Sequence, residues 1–143
     1  MKSTATFENL LRKGGLKATS GRVAILDVLK SRGQTMTVSE IIEKLKGKLN
    51  QVTVYRAVEA LTKSGLVRRV DLQHPHTHYE LVVGRGHHHH VVCDRCGSLE
   101  DIENCNTNTL ETATLKESKR FNSIRTHSLE FFGICDKCAK LAH

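Results

Sequence analysis

Residues 50–70 read NQVTVYRAVEALTKSGLVRRV, and the period of the apolar side chains changes inside this stretch. Val54, Val58 and Leu61 recur at helical spacing over about Gln51 to Ser64, and Gly65 supplies the C-terminal stop. From Leu66 to Val70 the residues are strand formers, as they are again from His78 to Val83. The polar segment Asp71 to Thr77, with the only proline, Pro75, is the turn between them. A helix followed at once by a hairpin is the closing half of a winged helix-turn-helix. In that architecture the last helix before the hairpin enters the major groove of DNA.

The sequence upstream completes the pattern. Phe7, Leu10 and Leu11 mark a short amphipathic helix ending before Gly14-Gly15. Val23, Leu26 and Leu29 mark a second, with Thr19 or Ser20 as N-cap and Gly33 past its end. Thr37-Val-Ser-Glu40 is a capping box that opens a third, carrying Ile41, Ile42 and Leu45 inward before Gly47. On the fourth helix Gln51, Thr53, Tyr55 and Arg56 form a polar N-terminal face suited to phosphates and base edges. Lys17, Arg22, Arg68 and Arg69 are candidate anchors on the DNA backbone.

Charge follows the same division. The chain carries a net +7, but residues 1–86 hold 15 Lys/Arg against 7 Asp/Glu (+8), and residues 87–143 hold 7 against 8 (−1). This is the footprint of a nucleic-acid-binding head on a neutral body. The first 13 residues carry charges and no apolar run, and no stretch approaches the length of a membrane span. A cytoplasmic protein with no membrane partner is expected.

Gly84-Arg-Gly86 is the natural hinge, which divides the chain into a DNA-binding domain over 1–83 and a metal-binding domain over 87–143. In the second domain, strands are expected over His87–Cys93, Ser98–Glu103 and Ser123–Ile134, and a helix over Thr109–Lys119 with Leu110, Ala113 and Leu115 as its apolar set. The order β-β-α-β gives a mixed unit with the two Cys-x-x-Cys knuckles at strand ends, and the whole chain is of the α+β class.

Residues 87–96 read HHHHVVCDRC, and Cys135 and Cys138 form a second Cys-x-x-Cys near the end. Two thiolates at i and i+3 reach one ion from a tight turn, and two such pairs complete a closed, tetrahedral shell of a structural zinc, Zn2+. Two disulfides or plain buried thiols are the alternatives, and a reducing compartment favours the metal. The histidine run is internal and leads into Val-Val-Cys, unlike an added tag. On an extended chain His87 and His89 face one way and His88 and His90 the other, so one segment can serve two metal sites. Cys105 is the odd cysteine: a soft ligand, a redox-reactive thiol or an inert residue.

Taken together, Gly15-Leu-Lys-Ala-Thr19 with Arg22, Thr53-Val-Tyr-Arg56, Gly65-Leu-Val67, the His87–Gly97 segment and His127-Ser-Leu-Glu-Phe-Phe-Gly133-Ile-Cys135-x-x-Cys138 resemble the ferric-uptake-regulator (Fur) superfamily of metal-dependent bacterial repressors. The motifs span nearly the whole chain in family order. The resemblance implies an N-terminal winged-helix DNA-binding domain, a C-terminal α/β dimerisation domain over 87–143, and a structural zinc on Cys93, Cys96, Cys135 and Cys138. It also implies a regulatory metal between the domains on Glu80, His88 and His90, and a further site on His87, His89 and His127 with an acidic residue placed at Glu111. The chain departs from the family where many relatives carry a histidine before the third helix, since Gln34-Thr-Met-Thr37 offers no strong ligand. The turn carries His74, His76 and His78, and a strand puts His78 on the face of Glu80, so His78 or His76 is expected to replace the missing ligand. Gly21 stands where relatives often have proline.

The reading is a homodimeric repressor that binds double-stranded DNA at a palindromic operator. Its DNA affinity is switched by Fe2+, Zn2+ or Mn2+ bound between its domains. A peroxide sensor of the same family is the alternative. A zinc hydrolase would need an open metal position and a general base, and no HExxH spacing occurs. A metal chaperone or storage protein would leave the helical head and the charge split without a purpose.

Overall fold

A computed structural model describes residues 2–73, 75–83, 87–103 and 108–141, with side chains from residue 5 onward. The chain divides into two compact units, Met1–Arg85 and Gly86–His143. His74, the hinge residues Gly84–Gly86 and Cys105 lie outside the described residues.

In the first unit the helices are α1 (Lys2–Lys13), α2 (Ser20–Arg32), α3 (Val38–Leu45) and α4 (Gln51–Lys63). Each of the last three begins on a polar cap. Thr19 Oγ1 accepts from Arg22 N, Thr37 and Glu40 close a full capping box, and Asn50 Oδ1 accepts from Thr53 N at 2.8 Å. A cap of this kind contributes about 1 kcal/mol. Gly33 ends α2 in the left-handed region at φ 66°, a conformation that costs a side-chain-bearing residue more. The core is made where the apolar stripes meet: Leu11, Ile25, Leu26, Ile41, Val54 and Leu61 are all fully buried. Each buried aliphatic side chain contributes about 1.5–3 kcal/mol.

The wing has three strands, not the two expected. A short β1 (Met36–Thr37) precedes α3 and pairs with β3 (His78–Leu81), whose other edge carries β2 (Val67–Val70); the order is β1-β3-β2, all antiparallel. Two residues are too few to leave a periodicity, so β1 cannot be read from the sequence. Its pairing Thr37↔His78 ties the entry of α3 to the wing.

In the second unit β4 (His89–Cys93) is the central strand, antiparallel to β5 (Leu99–Ile102) and parallel to β6 (Glu130–Gly133). The strand expected from Ser123 to Ile134 is confined to these four residues of β6. β4 begins at His89, one residue before the position opposite Glu130, and strand formers without a partner do not make a ladder. α5 (Asn108–Glu117) lies within one or two residues of its expected bounds, but none of its residues is buried, and Leu110 is 56% exposed. A short α6 (Asp136–Lys140), absent from the β-β-α-β expectation, follows Cys135. Among the described residues of this unit the buried hydrophobic side chains are Val92, Cys93 and Cys138. So thin a core calls for a metal and a partner surface.

Candidate metal centres and nucleic-acid interface

The four cysteines converge. Cys93 ends β4, Cys96 lies in the turn after it, Cys135 stands just before α6 and Cys138 is inside it. Gly97, at φ 72°, lets the first knuckle close, with Gly97 N–H donating to Cys93 O at 2.9 Å. The parallel register Cys93↔Gly133 brings the second knuckle alongside. All four Sγ atoms lie within 4.8 Å of one another, and Cys96 and Cys135 are 3.7 Å apart. That matches the edge of a tetrahedron with zinc–sulfur bonds of about 2.3 Å, and is far from a disulfide of about 2.05 Å. All four are free thiols. The Cys93 thiol is drawn down to about 6, first by the backbone N–H of Cys135, 3.4 Å from its sulfur, and then by that of Cys96. The Cys138 thiol is pushed up to about 12, chiefly by its hydrogen bond with the Cys135 side chain and by burial. The cluster is a donor set part-way to ionisation, and zinc would complete it.

His87, His89 and His127 form a second cluster. His127 Nε2 lies 2.8 Å from His87 Nε2 and 3.3 Å from His89 Nε2. Partners on the far side of two rings fix the tautomers. His89 Nδ1 is 2.9 Å from the carbonyl of Leu129, and His127 Nδ1 is 2.7 Å from Glu111 Oε1. A carbonyl or carboxylate only accepts, so each Nδ1 carries a proton, which leaves Nε2 as the nitrogen turned toward the cluster. Nitrogens on one tetrahedral zinc sit about 3.4 Å apart, close to the 3.3 Å between His127 Nε2 and His89 Nε2. Glu111 thus stands behind His127 and orients it; the converging donors are the three Nε2 atoms.

The other half of the histidine run is buried: His88 is 7% exposed and His90 is fully enclosed, with ring centroids 5.0 Å apart. His90 Nδ1 donates to Glu130 Oε2 at 2.8 Å, and the same oxygen takes the His90 backbone N–H at 3.2 Å. His90 Nε2 lies 3.6 Å from Asp101 Oδ1, too far for a direct hydrogen bond but close to the separation of two ligand atoms on one ion, about 3.4 Å. In the first unit Glu80 is buried in β3, and its carboxylate takes two N–H groups of Arg68, directly opposite on β2. His78 Nδ1 is 3.4 Å from Thr35 Oγ1, within the segment that lacks the family histidine.

α4 offers its N-terminus outward. Gln51, Thr53, Tyr55 and Arg56 are all exposed, while Val54, Ala57, Val58 and Leu61 anchor the opposite face. Lys17 is exposed as well. Arg22 is half-buried and donates through Nη1 to the Lys17 carbonyl at 2.9 Å, so it braces the loop that carries Lys17.

The sequence profile of the ferric uptake regulator family matches residues 13–132. The chain belongs to the ferric uptake regulator family. It is 31% identical over 143 residues to "Ferric uptake regulation protein 2" of Mycolicibacterium fortuitum, a match covering 97% of each chain. The solved ferric uptake regulator of Helicobacter pylori shares the fold at a TM-score of 0.78 and 21% identity, over 96% of this chain and 92% of that one. That of Pseudomonas aeruginosa, solved with manganese, gives 0.73 and 28%, over 88% and 95%. The protein is therefore a metal-responsive, DNA-binding transcriptional regulator, of a family whose solved members are dimers. Among the described residues, no helix is long and apolar enough to cross a membrane.

For this family member the structure brings the four cysteines together, and His87 and His89 to His127. It does not place Glu111 among the converging nitrogens, and it commits Arg68, expected on the DNA backbone, to Glu80. Three residues escaped the sequence reading. Asn50 was legible as a cap residue before an apolar-periodic helix. Asp101 and Glu130 were not, since each reaches His90 through strand register, as His90↔Asp101 and His90↔Glu130.

Proposed function

We propose that the regulatory metal is held by Glu80 of the first unit and by His88, His90 and Asp101 of the second, and that its occupancy switches DNA binding. The reading rests on one observation above the others: a fully buried imidazole, His90, whose Nδ1 proton is committed to Glu130 and whose Nε2 faces a carboxylate. Two imidazoles with two carboxylates suit iron(II), zinc(II) or manganese(II). The ligands stand on both sides of residues 84–86 in the chain, so one ion tethers the two units. The DNA-reading helices of a dimer must meet two half-sites together, and a metal that favours that arrangement shifts the population toward it. Coupling of this kind is worth about 1–3 kcal/mol, or about 5–150-fold in affinity. His78, beside Thr35, supplies a further nitrogen in place of the family histidine.

In this proposal Cys93, Cys96, Cys135 and Cys138 hold a structural zinc with no open position, which stabilises the fold and does no chemistry. Lys17, Gln51, Thr53, Tyr55 and Arg56 contact the operator, with Arg22 supporting Lys17. The regulator has no catalytic role and works in the cytoplasm.

The test is operator binding at fixed salt by the zinc-stapled dimer, titrated with zinc, manganese and anaerobic iron(II), with metal counted in the same samples. Binding that appears only as a second metal fills its site supports the switch; equal binding with and without that metal overturns it. Iron-supported binding that is lost after peroxide treatment would assign the protein to the peroxide-sensing branch.

A further inference from the structure

Glu80 does not wait for a metal as a bare carboxylate. It is 1% exposed, and a buried carboxylate without a counter-charge is costly. Arg68 supplies that charge. Arg68 and Glu80 are directly opposed in the β2–β3 register, so their side chains share one face of the sheet. Both Nε, at 2.9 Å, and Nη2 of Arg68 donate to Glu80 Oε1. The two partners differ sharply in exposure: the Arg68 side chain is 45% exposed, that of Glu80 only 2%. A guanidinium cannot shed its charge, whereas its half-exposed stem can swing into solvent.

We infer that Arg68 is an internal competitor of the regulatory metal, occupying Glu80 in the metal-free protein and setting how much metal is needed to displace it. The inference rests on the reading of Glu80 as a regulatory ligand. A divalent ion and a guanidinium on one carboxylate repel each other, and the arginine gives up two charge-assisted hydrogen bonds when the ion binds. The pair therefore holds the metal-free wing in order and weakens metal binding at the same time. The regulator then responds only above a metal threshold, rather than capturing the first ion it meets. The residue at position 68 sets that threshold without touching the metal. Arg69, its neighbour, reaches Thr77 at 3.4 Å on the exposed side.

The experiment is a chelator-competition titration of the full-length, zinc-stapled protein with zinc(II) and with manganese(II). It compares wild type, R68Q, R68K and E80Q, with thermal midpoints recorded for each metal-free form. E80Q identifies the Glu80-dependent binding step as the one it weakens. R68Q is expected to bind metal at that step about tenfold more tightly than wild type and to melt lower when metal-free. R68K keeps the charge but loses the two-pronged guanidinium contact, so it is expected to bind metal more tightly than wild type though less than R68Q; it serves as the reading if R68Q folds poorly, and an R68K affinity equal to wild type then overturns the competitor role. An R68Q affinity equal to or weaker than wild type, with the E80Q step clearly lost, overturns the competitor role and leaves Glu80 as a ligand. An E80Q protein that binds metal like wild type at every step overturns the assignment of Glu80 itself.

Discussion

Glu130 Oε2 lies 2.8 Å from His90 Nδ1, and the parallel register of β6 on β4 sets the two residues side by side. The carboxylate orients a fully enclosed imidazole, fixes its tautomer and raises the basicity of the nitrogen left for a metal. A partner of this type is commonly worth about 10–100-fold in metal affinity. Glu130→Ala should therefore weaken the regulatory metal by that factor. Glu130→Gln should weaken it less, because the amide oxygen still accepts the proton but carries no charge. Chelator competition measures both, and unchanged thermal stability with the structural zinc retained separates this effect from misfolding.

The cysteine cluster predicts its own pH dependence. At pH 7 the Cys93 thiol, at about 6, is already largely ionised, whereas Cys138, at about 12, is not. Zinc must displace the Cys138 proton, so its affinity should rise by at least about tenfold per pH unit around neutrality. Below about pH 6 Cys93 becomes protonated too, and the dependence should steepen. Calorimetry in buffers of different ionisation enthalpy counts the protons released. Release of all four thiol protons at pH 7 would contradict this pattern.

Removal of that zinc should unfold the second unit, whose described buried hydrophobic side chains are Val92, Cys93 and Cys138. Cys138→Ser, or a strong chelator, should abolish the thermal transition of this unit and the dimer with it. The helices of the first unit should persist in circular dichroism, since their core is independent.

α5 buries none of its residues within the protomer. Leu110, Phe131 and Ile134 are likewise about half exposed, which is costly for a lone subunit in water. Leu110→Glu should shift the dimer to monomer in sedimentation velocity at micromolar concentration. Operator affinity should fall with it, because two half-sites are no longer bound together.

Arg56 projects from the second turn of α4, exposed opposite the buried Val54 and Val58. Arg56→Ala should lower operator affinity about tenfold or more at fixed salt. A salt slope smaller by about 1 would assign the residue to a phosphate, and a loss confined to one base position would assign it to a base edge.

The residues that carry local rules could be read directly. Caps at Thr19 and Thr37, the glycine stops, the helical spacing of α4 and the opposite facing of His87/His89 and His88/His90 all follow from backbone geometry within a few residues. The cysteine pairs announced their chemistry by spacing alone. Pairing was less accessible. β1 is two residues long, and the strand formers from Ser123 onward become β6 only where β4 is present to receive them.

The sequence by itself therefore determined the helical head, the hairpin of the wing, the metal-binding residue types and the family, because each shows in patterns among near neighbours in the chain. Only the tertiary structure decided that Asp101 and Glu130 attend His90, that Glu111 stands behind His127, and that Arg68 closes on Glu80 instead of reaching for DNA. These are relations of strand register and chain return. A one-residue slip in a register turns every side chain to the other face, and no local pattern in the chain records which register wins.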